Sequence, residues 1–313
     1  MLTLTDFQAA RERIRGSAIR TPLVRLNVDD APAEIYLKLE NLQPIGSFKI
    51  RGAANAIAQM STDTLSKGVL TASAGNMAQG VAFAARRLGI PCTVIAPETA
   101  PQTKIEAIER LGGRVLKAPF DDWWRAFQER SFPGVEGAFV HAFDDPQVMA
   151  GNGTIALEII EDLPEVDAII VPWGGGGLAC GIASGMRALK PECKIYAAEV
   201  ATAAPLKPAL DAGMPQTVNF EPSFVDGIGA KTVFPQMLAL AQELLDGSLV
   251  ATLDDVASAL RLIASRNRVI AEGAGATATA CALAGQAAPA KKIVAIVSGG
   301  NIDFGKLCSI LTA

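Results

Sequence analysis

Histidine is almost absent: His141 is the only one in 313 residues. A histidine-built zinc site therefore lacks ligands. A Ser-His-Asp triad has one possible base, far from any Gly-x-Ser-x-Gly elbow. Cys92, Cys180, Cys193, Cys281 and Cys308 include no C-x-x-C pair, so they read as reduced, buried thiols of a cytoplasmic protein. An excess of one charge is missing too. Lys plus Arg number 28 and Asp plus Glu 32, a net −4 without a block of like charge, which offers a nucleic-acid backbone no basic face. Uninterrupted apolar runs are also lacking. The stretch that needs testing as a span, Ala168 to Met186, has no charge but holds Pro172 and six Gly. It suits a strand, a glycine loop and a helix better than a membrane crossing. Asp6, Arg11, Glu12, Arg13 and Arg15 stand where a signal peptide needs an apolar run. No membrane partner is expected.

What is present is a core former: 50% of residues are hydrophobic, which excludes a disordered or collagenous chain. The length suits two domains, at roughly 100–200 residues each, or one large α/β unit. Short β-type runs alternate with helical ones. Strands are expected at Ile35–Leu39, Gly68–Ala72, Cys92–Ala96, Arg114–Lys117, Ala138–His141, Ala168–Pro172, Lys194–Glu199 and Ile293–Val297. Helical stretches include Ala78–Leu88, Pro101–Leu111, Gly153–Asp162, Leu178–Leu189, Phe234–Leu245 and Asp254–Ser265. This alternation predicts an α/β fold of parallel sheets with helices on both faces. Right-handed crossovers then gather the loops after the strands along one edge, where ligands bind.

Four of those loops carry chemistry. Trp173-Gly174-Gly175-Gly176-Gly177-Leu178 follows an apolar strand and opens a helix. Its backbone N–H groups and the helix dipole make an anion cradle. No Gly-Lys-[Ser/Thr] follows, so it is not the nucleotide P-loop; phosphate alone is the economical ligand, and a flexible turn is the competing reading. Ser47-Phe48-Lys49 sets a lysine between apolar neighbours at a loop-to-helix transition, where a depressed pKa would make it a nucleophile; an ordinary solvated lysine is the alternative. Ser73-Ala74-Gly75-Asn76, between a strand and a helix, suits a carboxylate or serves as a plain cap. Ser298, in Val297-Ser298-Gly299-Gly300-Asn301, can meet a ring nitrogen or a second anion, or simply turn the chain. Together the four describe a site for a phosphorylated aldehyde that condenses with lysine, which is pyridoxal 5'-phosphate.

With these loops go Lys38-Leu39-Glu40-Asn41-Leu42-Gln43, Ala142-Phe143-Asp144-Asp145-Pro146, Gly151-Asn152-Gly153-Thr154 and Glu272-Gly273-Ala274-Gly275. The set resembles, over essentially the whole chain, the fold-type II pyridoxal-phosphate enzymes of the threonine/serine dehydratase and serine racemase branch. Cysteine synthases fit less well. The resemblance implies two open-sheet α/β domains of the tryptophan synthase β type with the cofactor in the cleft between them. Residues 1–45 plus 145–313 would form the large domain and 46–144 a small mobile one, in a homodimer. It implies Lys49 as the Schiff-base lysine and proton carrier, and Phe48 against the cofactor ring. Asn76 would bond the ring hydroxyl, and Ser298 would meet the pyridine nitrogen. Gly174, Gly175, Gly176, Gly177 and Leu178 would hold the phosphate. Ser73, Ala74, Gly75, Asn76, Met77 and Glu272 would face the substrate. The end of the chain soon after Asn301 suggests that the regulatory domain of biosynthetic threonine dehydratases is missing.

Three departures qualify the match. Ala74 stands where serine racemases carry an acid–base serine, so racemisation should be crippled. Met77 replaces the usual histidine; it either packs or admits a bulkier β-substituent. Glu199 matches the racemase divalent-metal site, but Pro205 stands at its Asp position, so no metal is expected. The activity implied is α,β-elimination of a 3-hydroxy amino acid to a 2-oxo acid and ammonia, with threonine or serine as default substrate. Phenylserine or 3-hydroxyaspartate are the alternatives, although no extra Arg in the matched loops greets a second carboxylate. A non-catalytic phosphate-ligand binder is the reading from another class, and Lys49 argues against it. A nicotinamide oxidoreductase would leave the Lys49 and Ser298 loops unexplained. His141 is expected to be a structural strand-end residue. For Trp123-Trp124, packing is preferred over shaping the approach to the site.

Overall fold

The computed structural model describes residues 2–313. Among the described residues, ten strands form two sheets: β1 (Leu23–Arg25), β2 (Glu34–Leu39), β3 (Val69–Ala72), β4 (Cys92–Pro97), β5 (Arg114–Ala118), β6 (Ala138–Phe139), β7 (Ala168–Pro172), β8 (Lys194–Val200), β9 (Gly247–Ala251) and β10 (Lys292–Val297). The larger sheet runs β1-β2-β10-β7-β8-β9 and the smaller β5-β4-β3-β6. All pairings are parallel except the antiparallel edge of β1 on β2. The molecule is thus two parallel-sheet α/β domains. Every residue of β7 is buried, as a strand covered on both faces requires. Its side chains alternate: Ala168 and Ile170 enter one core, Ile169 and Val171 the other.

Register positions the site. Val297 pairs with Leu39 and Ala295 with Ile170, so β2, β10 and β7 release their carboxyl-end loops side by side. The end of β3 supplies the matching loop of the smaller sheet.

Several boundaries differ from expectation for visible reasons. The expected strand 138–141 stops at Phe139. His141 Nδ1 accepts the N–H groups of Phe143 and Asp144 at 3.3 and 2.8 Å, and these bonds turn the chain. The helix expected from Gly153 starts at Pro146, with Asp145 capping Gln147 N at 2.7 Å and proline in the first turn. Its glycines serve close approach: a Cβ on Gly153 would lie 2.6 Å from Gly181 O, and one on Gly151 2.3 Å from Arg51 O. Strands β1 and β9 go beyond the sequence expectations, as do helices Leu4–Arg13, Phe120–Glu129 and Gly273–Leu283.

A buried ion network fixes the Lys49–Ala58 helix to the larger domain. The Arg51 guanidinium donates to Glu40 at 2.8 Å and to Glu158 at 2.6 Å. Lys38 Nζ meets Glu158 at 2.6 Å and donates to Thr21 O at 2.6 Å. Two cations thus face two carboxylates, with the remaining polar atoms hydrogen-bonded, which is how such burial becomes tolerable.

Candidate active site

Lys49 is the first residue of its helix. The loop before it is stitched to the loop after β10: Phe48 N donates to Ser298 O at 3.0 Å and Gly300 N to Gly46 O at 2.9 Å. These bonds fix the two loops to each other. Lys49 Nζ donates to Ala142 O at 2.8 Å and sits 5.0 Å from the centroid of the Phe48 ring. Burial pushes its pKa down to about 8, against the pull of Glu272. An amine whose pKa lies near 8 and which faces a cleft keeps an unprotonated fraction that can act as nucleophile and base.

That cleft, about 400 Å³, is lined by Phe48, Lys49, Ser73, Ala74, Gly75, Asn76, Met77, Gly174, Gly175, Gly176, Gly177, Leu178, Glu272 and Ser298. Every site residue singled out in the sequence meets there. Gly176 adopts φ +93°, which favours glycine, and its helix starts with no side-chain cap, so N–H groups of the first turn remain for an anion. A Cβ on Gly175 would lie 1.9 Å from the Phe143 ring, and one on Gly177 2.7 Å from Phe143 Cα. The cradle thus needs glycine for space as well as conformation. An uncapped helix start, glycines stripped of side chains and a half-buried amine on one cleft fit a phosphorylated aldehyde.

Asn76 Nδ2 donates to Glu272 Oε1 at 2.8 Å, and Asn76 Oδ1 accepts from Asn301 at 2.8 Å. One N–H of Asn76 stays available to a ligand. Burial, then the charge of Asp226, pushes the Glu272 carboxyl up to about 7. A Cβ on Gly299 would lie 2.4 Å from Glu272 Oε1, so this glycine makes room for the carboxyl. Gly75 N donates to Ser73 Oγ at 3.2 Å. Met77 is buried at the foot of the cleft within the small-domain core, which favours its packing role.

Two other residues take structural duties. Burial pushes His141 down to about 4, so it is neutral and serves as the turn acceptor described above. Glu199 accepts from Leu206 N at 2.7 Å, Lys207 N at 2.9 Å and Ser248 Oγ at 2.6 Å. Its carboxylate is engaged at a helix start.

The sequence reading passed over Asp226-Gly227-Ile228, which lines the cleft. No local signal marks it, since a Gly-flanked acid reads as an ordinary turn. It also passed over Lys104, whose Nζ reaches Asp226 at 3.0 Å. Trp123 and Trp124 open on a recess beside Lys49, so packing alone does not account for them.

The family model described as pyridoxal-phosphate dependent enzyme matches residues 14–299. An L-threonine ammonia-lyase of Thermotoga maritima is 38% identical over 318 residues, spanning 99% of this chain and 78% of that protein. Among solved structures, maize serine racemase superposes with a TM-score of 0.92 at 32% identity, covering 99% of this chain and 97% of that one. The processed form of threonine deaminase isoform 2 from Solanum lycopersicum gives 0.89 at 34% identity, covering 99% and 86%.

Proposed function

The chain belongs to the pyridoxal-phosphate dependent enzyme family, and on that premise we propose how its own residues perform the reaction. The protein is a pyridoxal-phosphate-dependent ammonia-lyase that converts a hydroxy amino acid of the threonine and serine type to a 2-oxo acid and ammonia. The observation that carries this reading is the meeting of a half-buried amine of lowered pKa, Lys49, with an uncapped glycine cradle on one cleft. A phosphate binder has no need of that amine.

When bound, the cofactor supplies a ring that delocalises the electron pair left at the substrate Cα. Gly174 to Leu178 would hold its phosphate, Phe48 would lie against the ring, Asn76 would bond the ring hydroxyl and Ser298 would meet the pyridine nitrogen. Lys49 would hold the cofactor's aldehyde, and its amine would take the proton from the substrate Cα. The Ser73–Asn76 loop binds the substrate carboxylate, with Glu272 ordering Asn76 and Met77 closing the floor. Ala74 has no proton to give, which favours elimination over inversion at Cα. Within segment 46–144 the part built on the smaller sheet closes over the cleft to exclude water, while the Lys49–Ala58 helix stays anchored to the larger domain. A cytoplasmic homodimer completes the proposal.

The test is the absorbance of the purified holoenzyme together with oxo-acid and ammonia release from threonine and serine. A visible cofactor band lost in Lys49→Ala, with oxo acid formed by the wild type, supports the reading. A protein that stays colourless with added pyridoxal phosphate overturns it.

A further inference from the structure

Aromatic residues are scarce in this chain, at 5%, yet two of its three Trp stand with three Phe beside Lys49. Trp123, Trp124 and Phe127 come from the Phe120–Glu129 helix of the smaller-sheet domain; Phe143 and Phe234 come from loops facing it. Phe143 and Phe234 meet edge to face at 5.3 Å, and Trp124 lies 5.6 Å from Phe127 and 6.1 Å from Phe234. They wall an annex of about 260 Å³ that shares Lys49, Gly174, Gly175 and Asp226 with the main cleft. Trp124 remains 37% exposed, and Trp123 Nε1 is buried without a hydrogen-bond partner. Unburied ring surface forgoes about 25 cal/mol per Å², so this wall gains by being covered.

We propose that the annex is the subsite for an aryl β-substituent, which makes 3-aryl-3-hydroxy amino acids the preferred substrate class. This rests on the dehydratase reading above and specifies its substrate. Three features support it. The Ser73–Met77 loop lines the main cleft but not the annex, so the carboxylate and the β-substituent part company at Lys49. The methyl of threonine fills little of the space, whereas an apolar cavity of about 150 Å³ already holds benzene. The charged residues of the annex are Lys49 and Asp226, and Asp226 repels the second carboxylate of a hydroxyaspartate. With 3-phenylserine, water leaves in the elimination and water is taken up in the hydrolysis, so the net products are phenylpyruvate and ammonia.

The experiment compares kcat/KM for threonine and 3-phenylserine in the wild-type holoenzyme and in Trp124→Ala and Trp124→Phe. It also titrates L-phenylalanine and L-alanine against tryptophan fluorescence. The expected result is a wild-type preference of tenfold or more for 3-phenylserine. Trp124→Ala should lower that ratio at least tenfold, chiefly through KM, and Trp124→Phe should largely restore it. Phenylalanine, but not alanine, should alter the Trp124 emission. Turnover of threonine with no preference for 3-phenylserine, or an unchanged ratio in Trp124→Ala, overturns the annex. If a coloured holoenzyme forms oxo acid from neither substrate, the dehydratase reading fails. The phenylalanine titration then still decides the annex, and no emission change overturns it.

Discussion

Lys49 and Glu272 titrate toward each other. In water a lysine ionises near 10.4 and a glutamate near 4.3; burial brings them to about 8 and about 7. For Glu272 the folded state keeps a proton, between about pH 4.5 and 7, that the unfolded chain has lost, so this contribution to stability falls as pH rises through that window. For Lys49 the unfolded chain keeps a proton, between about 8 and 10.5, that the folded state has lost, so stability rises there. The two contributions leave the cofactor-free protein weakest between about pH 7 and 8. Thermal melting across pH should show Glu272→Gln gaining on the wild type from pH 5 to pH 8; a constant difference would refute the assignment. A second residue-scale prediction concerns Ala74. Ala74→Ser supplies the hydroxyl that the resemblance assigns to racemisation, so this variant should form D-serine from L-serine where the wild type forms none, as read by chiral chromatography. Lys49 was legible only through its company, since one lysine between apolar neighbours is weak evidence. Asp226 was not legible, because nothing local in Val225-Asp226-Gly227 tells a cleft residue from a turn.

The Lys49–Ala58 helix is held less by its own propensity than by Arg51. Removing one member of a buried ion set strands the others without compensation and costs about 3–5 kcal/mol. Arg51→Met leaves Glu40 and part of Glu158 unpaired, so urea unfolding should show a loss of that size. The cofactor absorbance of the refolded variant should weaken as well, because the lysine sits two residues away on the same helix. A loss below about 1 kcal/mol would mean that the network relaxes around the gap. The fully buried strand β7 was legible, ending where expected, at Ala168 and Pro172. The Pro146–Asp162 helix was expected only from Gly153; Gly151 and Gly153 stand within it for close approach to the Lys49–Ala58 and Gly177–Leu189 helices. Strands β1 and β9 escaped for another reason. They are short edge strands, partly exposed, and carry no apolar run.

For the whole molecule, alternating strands and helices marked a parallel α/β protein but not where one sheet ends and the next begins; the division into two units came from the family resemblance. Across the cleft between them, Lys104 of the Gln102–Arg110 helix reaches Asp226 of the opposite domain at 3.0 Å. Both side chains are part-exposed, so the pair is worth at most about 1 kcal/mol and is screened by salt. It therefore biases closure rather than locking it. Lys104→Met should raise KM for the amino acid severalfold with a smaller change in kcat, and added salt should do the same to the wild type but little to the variant. A titration supplies the independent readout. Lys104 lowers the Glu272 pKa and Asp226 raises it, so deleting the lysine leaves the acid unopposed and moves Glu272 upward. The pH-dependent stability difference attributed to Glu272 should then extend to higher pH in Lys104→Met. A KM that stays put while Glu272 shifts would mean that the pair tunes charge in the cleft without aiding its closure.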